Sequence, residues 1–366
     1  MRILHVYRNY YPDPEGGVQE AIRQISRSTH PHGVESSVFC LSPQPKPTYL
    51  EDGVEAIWRS RSWAAPASCD LGGPEAWRLF ARLAAQHDLI HYHYPWPFAD
   101  ILHLSARTAT PAIMTYHSDI VRQAVLSRLY APVMWRMLKA MKKVVATSPT
   151  YARTSPVLND RRVRERVQVI PLGIADMTEV PSHEAPTGAP YFLFLGALRY
   201  YKGLETLLEA ARKVDSRILI AGEGPRRSTL QEMANRLQLR NVKFLGQVTF
   251  EEKKRLLAGC HGFVLPSHIR SEAFGMVLVE AAMFGRPMVS CDIGSGTSFV
   301  NAHMETGMVV PPNDPESLAN AMNMILKDGG LARRFGENAR ARYESLFSGP
   351  ALGEAYIRLY REVLET

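Results

Sequence analysis

The stretch Tyr191-Phe192-Leu193-Phe194-Leu195-Gly196-Ala197-Leu198-Arg199-Tyr200-Tyr201-Lys202-Gly203 runs from five apolar residues through a glycine and two cations to a second glycine. Leu204–Val214 then carries apolar residues at helical spacing. A strand-length run, a short turn and an amphipathic helix make the repeating unit of a parallel sheet. The unit recurs downstream, with strands expected at Arg217–Ala221, Val242–Leu245, Gly262–Leu265 and Pro287–Ser290. Helices are expected near Arg226–Leu237, Phe250–Ala258 and Ala273–Phe284.

Upstream the same alternation gives strands at Ile3–Tyr7, Val34–Leu41, Leu89–Tyr92, Ala112–Tyr116, Val144–Thr147 and Val167–Ile170, with helices at Val18–Ser26 and Pro74–Ala85. Between the halves, Asp176–Pro190 carries Pro181, Pro186, Gly188 and Pro190 without apolar periodicity, which reads as a linker. A chain of 366 residues exceeds the usual single core. The expectation is therefore an α/β protein of two Rossmann-like domains, 1–175 and 191–345, joined by 176–190. A last helix in 346–366 could return to the first domain.

Composition narrows the function classes. No apolar run approaches the roughly 20 residues that span a bilayer, and Met1–Tyr7 reads at once as a strand, not a signal peptide. The four cysteines are far apart and lack CxxC spacing, which fits a reducing, cytoplasmic setting. Net charge is +7, and the segment 120–166 holds eleven Lys/Arg against Asp160 and Glu165. Such a patch can meet phosphorylated substrates, an anionic membrane or nucleic acid, or simply be a solvated face. Aromatics do not interleave with the cations, which argues against nucleic acid.

Ligands of doubly wound sheets sit beyond the carboxyl ends of the strands, so those loops are searched for chemistry. After the first strand, Gly16-Gly17 precedes a helix whose N-terminal amides favour phosphate, although a bare Gly-Gly is also an ordinary tight turn. His117 follows the strand at Ala112–Tyr116, where a histidine either packs or contacts a ligand. His91 and His93 share one strand face, but a metal is discounted because no third ligand with suitable spacing accompanies them. Arg199 and Lys202 beside a helix start form a natural diphosphate clamp, with two exposed surface cations as the bland alternative. Glu272 and Glu280 flank a loop-to-helix junction. With a helix beginning near Phe274, Glu280 would lie about two turns inside, expensive among Val277, Leu278 and Ala281 unless hydrogen-bonded, capped or ion-paired.

In this order, Gly16-Gly17, His117, Arg199 with Lys202-Gly203, the Gly222-Glu223-Gly224-Pro225 turn and the Glu272–Glu280 spacing resemble the retaining GT-B glycosyltransferases of family 4 over nearly the whole chain. The resemblance implies parallel sheets facing a central cleft that holds a sugar-nucleotide donor. It implies that Arg199 and Lys202 neutralise the leaving diphosphate and that Glu280 binds the ribose. Glu272 would hold sugar hydroxyls, and the backbone of Phe274, Gly275, Met276 and Val277 would reach the sugar and phosphates. His117 would contact the sugar, Gly16-Gly17 would admit the phosphates, and Gly222 and Glu223 would complete the donor site. No metal or cofactor is implied, since protein cations offset the leaving charge. Loss of either cation is expected to slow transfer and leave the fold intact.

The variant Cys291–Asn301, with Glu305-Thr306-Gly307 downstream, looks like the bacterial polysaccharide mannosyl- and rhamnosyltransferases. That resemblance implies a GDP-sugar donor, with UDP-sugars as the alternative, and a lipid-linked or glycan acceptor. An epimerase of the same fold and a non-catalytic binder of anionic lipid or nucleotide are the rival classes. Leu126, Leu129, Tyr130, Val133, Met134, Met137, Leu138 and Met141 recur at helical spacing between Arg128, Arg136, Lys139, Lys142 and Lys143. Within 126–143 this suggests either an interfacial helix on the inner face of the plasma membrane or a core helix with a basic rim. Pro132 is expected to kink the helix or start a new one, turning the stripe away from a single face.

Overall fold

The computed structural model describes residues 1–13, 16–66, 69–119, 124–178 and 189–365, with the side chains of 124–128 outside that description. Most of the expected linker, 179–188, thus lies outside the described residues. The chain forms two compact units, Met1–Ala175 with Gly349–Thr366, and Asp176–Ser348. The second unit is thus longer at both ends than the expected 191–345, and the C-terminal helix belongs to the first.

The first unit contains β1 (Arg2–Val6), α1 (Gly17–Thr29), β2 (Glu35–Ser42), β3 (Tyr49–Asp52), β4 (Glu55–Ala64), β5 (Leu71–Gly72) and α2 (Pro74–Gln86). It continues with β6 (Leu89–Tyr94), α3 (Pro97–Ala106), β7 (Ala112–Tyr116), α4 (Ala124–Ala140), β8 (Lys143–Ala146), α5 (Pro149–Thr154) and β9 (Val167–Val169). The second contains β10 (Tyr191–Leu195), α6 (Leu204–Ala211), β11 (Arg217–Ala221), α7 (Arg227–Arg236), β12 (Val242–Gly246), α8 (Phe250–Gly259), β13 (Gly262–Leu265) and α9 (Met276–Met283). There follow β14 (Met288–Cys291), α10 (Thr297–Val300), β15 (Gly307–Val310), α11 (Pro315–Lys327) and α12 (Gly329–Arg342), and α13 (Gly349–Glu365) closes the first unit.

Strands β1, β6, β7 and β13 are buried at nearly every position, as expected when helices cover both faces of a parallel sheet. The first sheet runs β3-β4-β2-β1-β6-β7-β8-β9 and is parallel except at β3 and β5, which pair antiparallel with β4. The sequence reading missed these three strands, because the polar run Arg59–Ser62 interrupts the apolar residues of β4, and β3 and β5 are short. The second sheet is all parallel in the order β12-β11-β10-β13-β14-β15. Its order reverses between β10 and β13, the switch point at which such sheets bind ligands.

Helix α13 enters the first core through Leu352, Tyr356, Ile357, Leu359, Tyr360 and Val363, which pack on Ile3, Ile25, Leu89, Ile113 and Val145. Each such buried side chain contributes on the order of 1.5–3 kcal/mol, so this helix is an integral part of the unit. Cys40, Cys260 and Cys291 are buried and Cys69 is half-buried, all as free thiols.

Candidate functional site

In the second unit, the loops after β10, β11, β13 and β14 meet at one end of the sheet. Two glycines make the approach. Gly203, at φ 66°, starts α6, and a Cβ there would strike the carbonyl oxygen of Pro266 beyond β13. Gly222, at φ 136°, would strike the carbonyl of Gly196. The backbone is thus drawn together across the switch point, and any side chain at either position would force it apart.

Lys202 lies in the turn after β10 and Glu272 in the loop after β13, and they form a buried ion pair. Ser267 donates to the same carboxylate at 3.1 Å. An ion pair therefore holds Glu272, and the ion-pair alternative left open for Glu280 is met separately by Lys253. Because one charge is stranded when the other is removed, the buried pairing changes the expectation that loss of Lys202 leaves the fold intact. Arg199 is exposed, and its guanidinium is left to meet a ligand from outside.

Helix α9 begins at Met276, two residues after the expected start, with Gly275 as N-cap at φ 84° and no capping side chain. The amides of its first turn therefore carry the positive end of the helix, and the N-cap residue offers no side chain to fill them. Phe274 is buried edge-on against Phe347, while Met276 and Val277 are half-buried. Glu280 lies about one turn inside α9, not two. Lys253 donates to its Oε1 at 2.9 Å, and its Oε2 is enclosed without a partner among the described residues. An orphan carboxylate oxygen next to a satisfied one is a vacancy for a hydroxyl donor. In the turn after β11, Glu223 pairs with Arg227 and retains partial exposure. Arg270 donates to the Gly294 carbonyl at 2.6 Å, joining the loops after β13 and β14. Sequence reading missed Ser267, Lys253 and Arg270: Lys253 and Arg270 act through partners 27 and 24 residues away, and Ser267 meets Glu272 through a loop without periodicity.

In the first unit, Gly16 is the N-cap of α1 and Gly17 its first residue. Gly16 has an ordinary extended φ of -158°, and a Cβ at Gly17 would meet nothing within 4 Å. Backbone demand does not explain the pair: Gly17 borders open space, while a Cβ at Gly16 would come within 2.7 Å of Gln19 Oε1. His117 follows β7, and the loop beyond it is pinned by Asp119, which accepts from Tyr116 at 3.1 Å and Ser155 at 2.7 Å. Burial pulls the His117 imidazole down to about 3, so it is neutral. His5 was missed as a neighbour of His91 and His93. Nitrogen atoms of these three lie within 4.8 Å of one another, so the stated reason for discounting a metal there, the want of a third ligand, does not hold.

Residues 15–176 match the family described as Glycosyltransferase Family 4, and residues 177–342 match Glycosyl transferases group 1. The chain is 40% identical to the O-antigen chain mannosyltransferase C of Escherichia coli over 100% of both chains. The chain belongs to the glycosyltransferases of this family. This glycosyltransferase is also 41% identical to the D-rhamnosyltransferase WbpZ of Pseudomonas aeruginosa, over 95% of its own length and 92% of that relative. Its GT-B fold is shared with sucrose-phosphate synthase of Thermosynechococcus elongatus, at TM-score 0.81 and 24% identity over 100% and 99% of the two chains. The HepE protein of Anabaena, solved in complex with UDP, aligns at TM-score 0.78 and 18% identity over 99% and 100%.

Proposed function

We propose that the enzyme transfers a mannosyl or rhamnosyl group from a GDP-linked sugar to a lipid-linked glycan in bacterial surface polysaccharide synthesis, with retention of configuration and without a metal. The observation that carries this reading is the buried Lys202–Glu272 pair at the switch point, beside exposed Arg199 and the uncapped start of α9. As the donor bond breaks, negative charge grows on the diphosphate, and fixed cations and amides stabilise that charge more than the ground state. Glu272, held by Lys202 and Ser267, suits hydrogen bonding to sugar hydroxyls better than attack on the anomeric carbon. The names of the two relatives support the sugar class and the polymer. His117, kept neutral by burial, is a poor acid or base near neutral pH, which disfavours the epimerase alternative.

Docking on an anionic membrane would bring the enzyme to a lipid-linked acceptor. Met134, Met137, Leu138 and Met141 are buried, so most of the described apolar stripe is core. Leu129 is 75% exposed, Arg136, Lys139 and Lys142 form the basic rim, and Lys143 is paired with Glu362 at 2.6 Å. The binding we propose is therefore electrostatic, contributed by the rim, at about 1 kcal/mol per cation near an anionic surface. Incubation with GDP-mannose, GDP-rhamnose and UDP-hexoses and a lipid-linked glycan, read by mass spectrometry, tests the activity. Transfer from a GDP-sugar is expected, and transfer from UDP-sugars alone would overturn the donor assignment.

A further inference from the structure

Four imidazoles lie on three adjacent strands of the first sheet or just beyond them: His5 on β1, His91 and His93 on β6, and His117 after β7. They fall into two separately bonded sets. His91 places Nδ1 at 3.0 Å from the Tyr360 hydroxyl and Nε2 at 2.7 Å from Thr115 Oγ1, which lies 2.9 Å from the Tyr356 hydroxyl. Both His91 nitrogens thus serve to tie α13 to the sheet. His93 joins the other set, with Nε2 at 3.1 Å from His5 Nδ1 and Nδ1 at 3.0 Å from His117 Nε2.

The ends of that second chain differ. His5 Nε2 is enclosed and has no partner among the described residues. His117 is 7% exposed, and no described residue bonds its Nδ1, so the outer end opens at the carboxyl edge of the sheet.

A metal held by His5, His91 and His93 fits this arrangement poorly. The rings of His91 and His93 stack at 4.3 Å and 29°, and those of His5 and His93 at 5.4 Å and 29°. Stacked rings direct their in-plane lone pairs side by side and not toward a common point, and both nitrogens of His91 are already engaged.

We propose that His93 and His5 are positioning residues that hold His117 in its Nδ1–H tautomer, so that it presents a hydrogen-bond donor to an oxygen of the ligand. A neutral imidazole has one N–H and one acceptor nitrogen, and the bond made by one nitrogen decides the proton on the other. Burial keeps all four rings neutral, with His5 and His117 pulled down to about 3 and His91 and His93 well below the ordinary value. Each link then needs one donor and one acceptor, so a single choice orders the whole chain.

In one order, His5 Nδ1–H donates to His93 Nε2, and His93 Nδ1–H donates to His117 Nε2. A bare lone pair is left at the enclosed His5 Nε2. In the reverse order, an N–H is stranded there with no acceptor. An orphaned buried donor is rarer than an under-used acceptor, so the first order prevails. The third ring then carries its proton on Nδ1, facing outward. That this donor meets a sugar oxygen rests on the donor-sugar reading of His117, whereas the tautomer itself does not.

The test is a long-range proton–nitrogen NMR spectrum of the full-length chain labelled with 15N-histidine, near neutral pH and without ligand. His117→Gln assigns the relevant signals by their loss. In the wild type, His5, His93 and His117 are expected to show pyrrole-type shifts at Nδ1 and pyridine-type shifts at Nε2. His5→Asn keeps a donor where Nδ1 stood and should leave His117 unchanged. His5→Asp offers only an acceptor there and should reverse the chain, turning His117 to its Nε2–H form although residue 5 makes no direct bond with it. An Nε2–H pattern at His117 in the wild type, or an unchanged His117 in folded His5→Asp, would overturn the proposal. So would one equivalent of bound metal whose chelation shifts the histidine signals. Loss of sugar transfer with the tautomers as stated would count against the functional reading alone.

Discussion

Lys202 and Glu272 meet as a buried ion pair across β10 and β13, the two strands at which the C-terminal sheet reverses its order. Lys202→Ala would strand a desolvated carboxylate, and breaking a buried pair from one side costs about 3 kcal/mol of stability. Exposed Arg199 has no such structural debt. Its alanine variant should keep the wild-type urea midpoint and slow transfer by the equivalent of about 2–4 kcal/mol, as for other lost transition-state donors. Urea titration and steady-state rates on both variants check the contrast. Restoration of part of the stability in Lys202→Ala/Glu272→Gln would confirm that the lone charge is the cause, and near-normal turnover in Arg199→Ala and Lys202→Ala would remove the clamp.

Glu280 has one oxygen on Lys253 and one with no partner among the described residues. If that oxygen accepts a ribose hydroxyl, Glu280→Gln should weaken nucleoside diphosphate binding by about 1.5 kcal/mol, the lower range for a bond to a charged group. Calorimetric titration with GDP measures this. Unchanged affinity would assign Glu280 to the ion pair alone.

The pH dependence of stability has a definite sign. Between the ordinary histidine value of 6.5 and about 3, the unfolded chain takes up protons that buried His5 and His117 refuse, as do His91 and His93. Stability present above 6.5 is therefore lost as pH falls. Asp100 acts in the opposite sense. Burial pushes its carboxyl up to about 8 despite the Tyr130 hydroxyl, so stability falls as pH rises from 3.8 through 8. Four imidazoles outweigh one carboxyl on the acid side, so urea midpoints should be lower at about pH 5 than at neutrality. Asp100→Asn should stabilise selectively above neutrality, and a flat profile in the wild type would contradict the burial argument.

Much of this architecture is written locally. Apolar-rich runs marked β1, β6, β7, β10, β11 and β13, because a strand covered on both faces is mostly apolar, with His5, His91, His93 and Thr115 as buried exceptions. The hairpin strands β3 and β4 escaped, since an edge region needs no such run. Arg199, Lys202, Glu272 and Glu280 were picked out by their places after strands and at helix starts, and the structure brings Lys202 and Glu272 together. Their partners were not legible: the Lys202–Glu272 bond closes over 70 residues and the His5–His93 bond over 88. Such contacts depend on strand order, which spacing alone does not reveal.

The basic rim of α4 gives a salt-dependent expectation. Anionic liposomes should sediment the wild type at low salt and release it at high salt, and Arg136, Lys139 and Lys142 changed together to Glu should abolish binding. Lys143 is left in place because it pairs with Glu362. Equal binding by the triple variant would discard the membrane reading in favour of a soluble or partner-delivered acceptor.

If protein cations and not a metal stabilise the departing diphosphate during a retaining transfer, chelation should leave the reaction intact. NMR of the anomeric configuration of the product formed from a GDP-sugar in excess EDTA measures this. A product with the donor's own configuration, made at an undiminished rate, is expected. An inverted linkage, or transfer abolished by EDTA and restored by one divalent ion, would contradict it.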